Sequence, residues 1–189
     1  MTPQPALKVD EIIALINELN LGISKPSPFE LARLDAEIRK FGDADIAASQ
    51  CFRGSYHALQ GDLENTVKWF TMALSLAPDN SYVYMNYATM LNRLEQHEQA
   101  VNMALESVNK AGGTPESIDN LLVCAYCADN HAAIAAWLPE YEKLTGRPHK
   151  VALWLQEDAE DEAGIESLRE ESRKGASISL VQLRNELGL

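Results

Sequence analysis

Cysteine and histidine are the residues of this sequence whose spacing could support metal binding or nucleophilic chemistry. Cys124 and Cys127 are separated by two residues, which is the spacing of many zinc and redox sites. A zinc site needs two further ligands, and the four histidines form no second pair; they are His57, His97, His131 and His149. Because both cysteines fall within a helical pattern, we interpret them as small packing residues and expect no metal or other cofactor.

The acidic run at 158–169 is the second stretch whose residue types could do chemistry. It fails as a calcium-binding loop, because Ala163 stands where such a loop requires glycine and Arg169 stands where it requires glutamate. The run is therefore either a solvated helix face or a charged binding surface. Since the sequence also has no glycine-rich phosphate loop and no motif around a nucleophile, we expect that the protein is not an enzyme.

The composition restricts the partners and the compartment. A formal net charge of −12 over 189 residues argues against nucleic-acid binding, which needs a basic face, and favours a basic protein partner. No apolar run approaches the roughly 20 residues of a membrane span, and the N-terminus does not resemble a signal sequence. An odd number of cysteines, all within helical patterns, makes a disulfide framework improbable. We therefore expect an acidic, cytoplasmic protein.

The elements that must position these side chains repeat with a period of 34 residues between Ile46 and Gly146. The sets of residues that stand one period apart are Gly54, Ala88 and Leu122; Leu63, His97 and His131; Thr66, Ala100 and Ile134; and Phe70, Ala104 and Leu138. A helix–turn–helix unit of this length carries small residues where its two helices touch, and apolar residues that face the next unit. The sequence therefore predicts three stacked helical hairpins.

The apolar spacing, caps and breakers predict where each helix begins and ends. Within the repeats we predict helices at 44–60, 63–77, 81–94, 97–111, 115–129 and 131–145. Before the repeats, the pattern predicts helices at 9–21 and 28–41, the second with Pro28 at its first position. We interpret this N-terminal pair as a degenerate capping repeat.

The first repeat resembles a tetratricopeptide repeat. Gly54 is small within the first helix, Gly61 marks the turn, Phe70 and Ala73 lie on the second helix, and Pro78 ends the unit. The resemblance implies an all-α, TPR-like solenoid of about three repeats, whose concave groove is lined by the first helix of each repeat. The candidate groove residues for a peptide partner are Tyr82, Met85, Asn86, Thr89, Arg93 and Tyr126.

The groove positions do not match the clamp with which related repeat proteins hold a peptide carboxylate. At those positions this chain has Cys51, Ser55, Asn86, Glu116 and Asn120, so only one of them fits. Two interpretations remain open. The groove either grips an apolar peptide or is a mixed polar surface of no particular purpose.

The residues after Gly146 have a different composition. From Glu157 to Glu171 there are eight carboxylates against one arginine, and few apolar residues accompany them. Ordering a residue costs roughly 1–2 kcal/mol, which so few apolar side chains hardly offset. This tail should therefore pack on its own solenoid or fold on a partner. We accordingly predict a helical pair at 1–45, a repeat domain at 46–146 and an acidic tail at 147–189.

The tail resembles the C-terminal segment of type II antitoxins of the Phd/RelB kind. The matching pieces are Glu157 to Asp161, the run Ile178 to Leu180, and the final Glu186 to Leu189. The resemblance implies that the tail binds a small basic toxin of the RelE/ParE superfamily. Its candidate contact residues are Trp154, Asp158, Glu160, Asp161, Ile165, Leu168, Ile178, Leu180, Leu183 and Leu187. Such antitoxins carry an N-terminal DNA-binding module, and repeats stand in its place here.

Two functions from different classes follow. The first is an antitoxin-like protein that neutralises a basic toxin through its tail. The alternative is a TPR scaffold, or a chaperone similar to those of type III secretion, that binds a peptide in its groove. In either case a homodimer remains possible.

Overall fold

The computed structural model describes residues 9–22, 25–41 and 45–173, and these form nine α-helices without strands. The helices are α1 (Val9–Leu21), α2 (Pro28–Phe41), α3 (Ile46–Gln60), α4 (Leu63–Leu76), α5 (Ser81–Arg93), α6 (His97–Ala111), α7 (Pro115–Cys127), α8 (His131–Thr145) and α9 (Lys150–Arg173). Among the described residues, no helix combines the length and the apolar character that crossing a membrane requires.

Consecutive helices pair as hairpins, and the hairpins stack. In the repeats α3 packs on α4, α5 on α6 and α7 on α8, while α3, α5 and α7 lie side by side. The N-terminal helices extend the stack, since α1 contacts both α2 and α3. This arrangement confirms the predicted all-α fold of stacked helical hairpins.

The chain divides into two compact units, Met1–Arg147 and Pro148–Leu189. The first unit contains α1 to α8. The second contains α9, a single helix of 24 residues. The division falls just after Gly146, whose left-handed backbone (φ +67°) ends α8.

Local capping explains why the helices begin and end close to the predicted positions. The N-cap side chains that accept a backbone N–H are Asp45, Asp62, Asn80, Thr114 and Asn130. Four boundaries differ from the prediction. Two differ by one residue, since α4 ends at Leu76 rather than at 77 and α5 ends at Arg93 rather than at 94. Helix α3 begins at Ile46 rather than at 44, because Asp45 is its cap. Helix α7 ends at Cys127 rather than at 129, because Asp129 takes a positive φ of 50°.

The tightest contact between the paired helices is that of Gly54 with Phe70. A Cβ atom added to Gly54 would lie 2.5 Å from Cδ2 of Phe70, which is closer than van der Waals contact allows. The fully buried ring of Phe70 also stacks on Tyr87 of the next hairpin, with the ring centroids 4.7 Å apart. Phe70 therefore joins α4 to both α3 and α5.

We predict that Gly54→Ala destabilises the solenoid by about 1–3 kcal/mol, because the added methyl group overpacks the Phe70 ring. Urea unfolding followed by far-UV circular dichroism measures the loss. The control is Gly164→Ala, at an exposed helical glycine with open space around it, where no loss is expected. In a Phe70→Leu background Gly54→Ala should cost less. An unchanged unfolding midpoint for Gly54→Ala would contradict this assignment.

Candidate functional site: a concave groove

The first unit contains a groove of about 830 Å³ on the side formed by its odd-numbered helices. The first turns of α1, α3, α5 and α7 all contribute to its lining, and Tyr141 of α8 adds to it. Since these helices lie side by side, their first turns place side chains from distant parts of the sequence around one concavity.

The structure brings four of the six predicted groove residues to this lining, namely Tyr82, Met85, Asn86 and Thr89. Tyr82 is 67% exposed, although it is a large aromatic side chain. Arg93 and Tyr126 are not among the lining residues. The groove is therefore formed mainly around the first half of α5.

Arg93 instead bonds to the C-terminal end of α1. Its Nη1 donates to the backbone carbonyl of Asn20 at 3.0 Å and to Oδ1 of the same residue at 3.3 Å. A cation is favourable at a helix C-terminus, where carbonyl groups lack partners within the helix. Arg93 thus fixes α1 against the repeats.

Helix α1 forms part of the groove wall, a position that the repeat pattern does not predict. Val9, Ile13 and Asn17 line the groove and stand four residues apart, so they share one face of the helix. The buried face consists of Ile12, Leu15, Ile16 and Leu19. Ile13 is apolar although it lies outside that buried face. This was the one sign in the sequence that a second face of α1 also makes contacts.

A hydrogen-bonded chain of side chains crosses the groove lining from α7 to α5. Nδ2 of Asn120 donates to Oγ1 of Thr89 at 2.8 Å, and the Thr89 hydroxyl donates to the Met85 carbonyl at 3.0 Å. Because the single hydroxyl proton is used on Met85, Thr89 can only accept from Asn120, which fixes the orientation of that amide. Its Oδ1 is buried and has no hydrogen-bond partner within the described residues.

The thiol in the groove lining is held in its neutral form. Burial raises the pKa of Cys51 to about 12, and a hydrogen bond from Asn86 opposes the rise only in part. Burial likewise raises the pKa of Cys124 to about 12. Since the thiolate is the nucleophilic form, neither thiol is activated. No group of three potential metal ligands occurs within the described part of the chain.

The charged residues of the lining all carry the same sign. They are Asp10, Asp45, Glu116 and Asp119, which we call the acidic rim; among the described residues, no lysine or arginine lines the groove. Asp45 also caps α3, since its Oδ1 accepts from the backbone N–H of Ala48 at 2.9 Å. The groove therefore combines carboxylates and amides with an apolar surface.

The predicted tail contacts lie on α9 as far as the structure describes them. Asp158, Glu160 and Asp161 are exposed, Ile165 is 51% exposed, and Trp154 is half-buried with Nζ of Lys150 5.8 Å from its ring centroid. Leu168 belongs to α9. The remaining four predicted contacts lie outside the described residues; they are Ile178, Leu180, Leu183 and Leu187.

We predict that an Ellman-type thiol reagent modifies one cysteine per native chain and three after unfolding in guanidinium chloride. Cys127 is exposed, whereas Cys51 and Cys124 are buried. Since the pKa of each buried thiol is about 12, the native count should hold up to about pH 10. Replacing Cys127 with Ser should reduce it to zero. Rapid modification of that variant would show that Cys51 or Cys124 is not buried as the structure places it.

Comparison with known proteins gives one distant relative. A protein of Haemophilus influenzae, described as an uncharacterized protein, is 23% identical over 133 residues, which covers 69% of this chain and 74% of the relative. No model of a protein family matches the chain. No solved structure matches it either.

Proposed function

We propose that this protein is a cytoplasmic, TPR-like interaction scaffold that binds a segment of a partner protein in its concave groove. The observation that carries the proposal is the groove itself. Its volume of about 830 Å³ lies within the range of about 300–1,000 Å³ typical of ligand sites. It also combines an apolar surface with a few polar groups that could orient a ligand.

The side chains at the centre of the groove are of the types that protein interfaces favour. Tyr82 presents an exposed aromatic ring, and Met85 beside it is flexible and half-buried. Aromatic residues and methionine are enriched where partners bind, because an aromatic ring contributes a large rigid contact area and the methionine side chain adapts to the shape of the partner. Asn86, one helical turn from Tyr82, adds an amide to the same lining.

A binding role fits the chemistry of the groove better than a catalytic role. The Cys51 thiol is neutral, since its pKa is about 12, and no histidine is among the lining residues described. Nucleophilic catalysis requires a nucleophile activated by an adjacent base or by a lowered pKa. We therefore propose that the protein is not an enzyme.

The test uses phage-displayed random peptides of roughly ten residues, selected on the immobilised full-length protein. Synthetic copies of the enriched peptides are then measured by fluorescence anisotropy. Met85→Ala and Tyr82→Ala should each weaken their binding by at least about fivefold, as truncation of a central interface residue does.

Met72→Ala is the matched control. Met72 is a methionine of α4 that is 40% exposed and is not among the groove-lining residues, so its truncation should leave affinity unchanged. If no peptide is enriched, or if neither groove variant weakens binding, the groove is not the binding site.

Binding through α9 is a second candidate function. The observation that favours it is the uninterrupted exposure of residues 156–167, where acidic side chains surround the half-exposed Ile165. A continuous acidic surface steers a basic protein towards it. On this proposal the protein neutralises a basic toxin of the RelE/ParE superfamily, as the antitoxin resemblance implies.

We predict for this candidate that full-length protein carrying Asp158→Asn, Glu160→Gln and Asp161→Asn loses protection of cells against the product of the adjacent reading frame. Growth on co-expression is the measurement. The matched control removes three exposed carboxylates from the first unit, through Glu98→Gln, Glu106→Gln and Glu142→Gln, and should still protect. Equal protection by both triple variants would eliminate the candidate.

A further inference from the structure

We infer that residues 1–8 of this chain, which we call segment 1–8, bind in its own concave groove and compete there with a partner. The segment reads MTPQPALK and lies outside the described residues. Its binding to the groove is independent of any partner, whereas the competition rests on the proposed function. The inference is carried by the place where the segment joins the groove, by its reach, and by the match between its prolines and the lining.

Segment 1–8 joins the described structure at the edge of the groove. Val9, the residue that follows the segment, lines the groove together with Asp10. The side chain of Val9 is apolar, yet the residue is 36% exposed. The segment therefore starts from the groove wall itself and needs no linker to reach the lining.

The segment is long enough to reach the centre of the groove. Helices α1, α3 and α5 pack side by side, and packed helix axes lie about 8–10 Å apart, so α5 is about 16–20 Å from α1. An extended segment with prolines advances about 3.1 Å per residue. Pro3 stands six residues before Val9, a reach of about 19 Å. This reach takes Pro3 to α5, where Tyr82 and Met85 line the groove.

The residue types of the segment favour an extended chain. Pro3 and Pro5 each fix their own φ and restrict the residue before them to extended conformations. Thr2 to Pro5 are thus preorganised by two prolines in alternate positions. A preorganised segment loses less conformational entropy when it binds, so fewer contacts are needed to hold it in the groove.

The lining offers the surface that such a segment prefers. Phe52, Tyr82 and Tyr141 contribute aromatic rings to the groove, and the ring of Tyr82 is exposed. Extended segments with prolines are recognised in grooves lined by aromatic side chains. The same lining also contains the apolar side chains of Val83 and Met85. The groove therefore matches the prolines and apolar residues of segment 1–8.

The charge of the segment does not oppose this binding. Segment 1–8 contains no Asp or Glu, and its charged side chain is that of Lys8. The charged side chains among the described lining residues are carboxylates. An acidic segment would be repelled by them, whereas segment 1–8 is not.

Covalent attachment makes a weak contact sufficient. A ligand on a short tether has an effective concentration of about 1 mM. A dissociation constant of about 0.2 mM then keeps the groove filled for about five-sixths of the time. Since a partner binds the free groove alone, its apparent affinity falls about sixfold.

The test compares ¹⁵N-labelled full-length protein with a proline variant that combines Pro3→Ser and Pro5→Ser. The side-chain amide of Asn86 lies in the lining, one helical turn from Tyr82. Its resonance should move in the variant, because the occupant has left. Adding a synthetic peptide of residues 1–8 at millimolar concentration should return it saturably.

Pro26→Ser is the control for the proline variant. Pro26 is half-buried and is not among the described lining residues, so its replacement should leave the Asn86 resonance in place. An Asn86 resonance that does not move in the proline variant would overturn the inference. A difference that disappears when the protein is diluted about tenfold would also overturn it, because the groove would then hold segment 1–8 of a second copy.

The competition is measured by fluorescence anisotropy with a peptide enriched on the full-length protein. The proline variant should bind this peptide about sixfold more tightly than the unchanged protein does, and Pro26→Ser should not alter its affinity. Equal affinities of the proline variant and the unchanged protein would overturn the competition.

The failures of the two proposals are distinguishable. If no peptide is enriched but the Asn86 resonance moves and is restored by the 1–8 peptide, the groove binds its own segment and the proposed function fails. If enriched peptides are weakened by Met85→Ala while the Asn86 resonance is the same in the proline variant, the proposed function stands and segment 1–8 does not bind in the groove.

Discussion

Close packing of Phe70 against Gly54 is the constraint on which the stacked hairpins depend. The ring lies where only a residue without a Cβ leaves room, and it also stacks on Tyr87 of the next hairpin. One side chain thus determines how closely α3 and α4 approach and where α5 is placed on them. Protein interiors are packed at crystal-like density, so such a contact transmits position from one hairpin to the next.

The groove is a consequence of that stacking together with one long-range contact. Side-by-side packing of α3, α5 and α7 presents their first turns to a common concavity. The bond from Arg93 to Asn20 then fixes α1 as a further wall. The same bond withdraws the guanidinium from the lining, whose charged side chains among the described residues are carboxylates. The shape of the groove and the charge of its lining therefore both depend on the contact of Arg93 with Asn20.

Local signals in the sequence were sufficient to predict α1 to α8 to within two residues at each end. Cap residues such as Asp62 and Asn80, and the left-handed glycines Gly61 and Gly112, act within a few residues of the ends that they define. The 34-residue period then predicted the pairing of the helices, because equivalent residues must make equivalent contacts. These features depend on neighbours in sequence or on a repeated pattern.

The composition of the groove could be predicted only in part. Tyr82, Met85, Asn86 and Thr89 face it because the helical period places them there. The contribution of α1 depends on a contact between residues 73 positions apart, which no local pattern encodes. The same contact removed Arg93 from the lining. The Oδ1 of Asn120 lacks a partner because the amide is oriented with its Nδ2 towards Thr89. That orientation follows from the bond of the Thr89 hydroxyl to the carbonyl of Met85.

The central claim is that the concave groove is the surface that binds a partner segment. Its most direct test is a titration of ¹⁵N-labelled full-length protein with an enriched peptide, followed by the side-chain amide resonances of Asn86 and Asn120. These two amides should shift together and saturably, while the indole resonances of Trp69 on α4 and Trp154 on α9 stay unchanged. Shifts confined to Trp154 and to the backbone of α9, with both asparagine amides unmoved, would contradict the account.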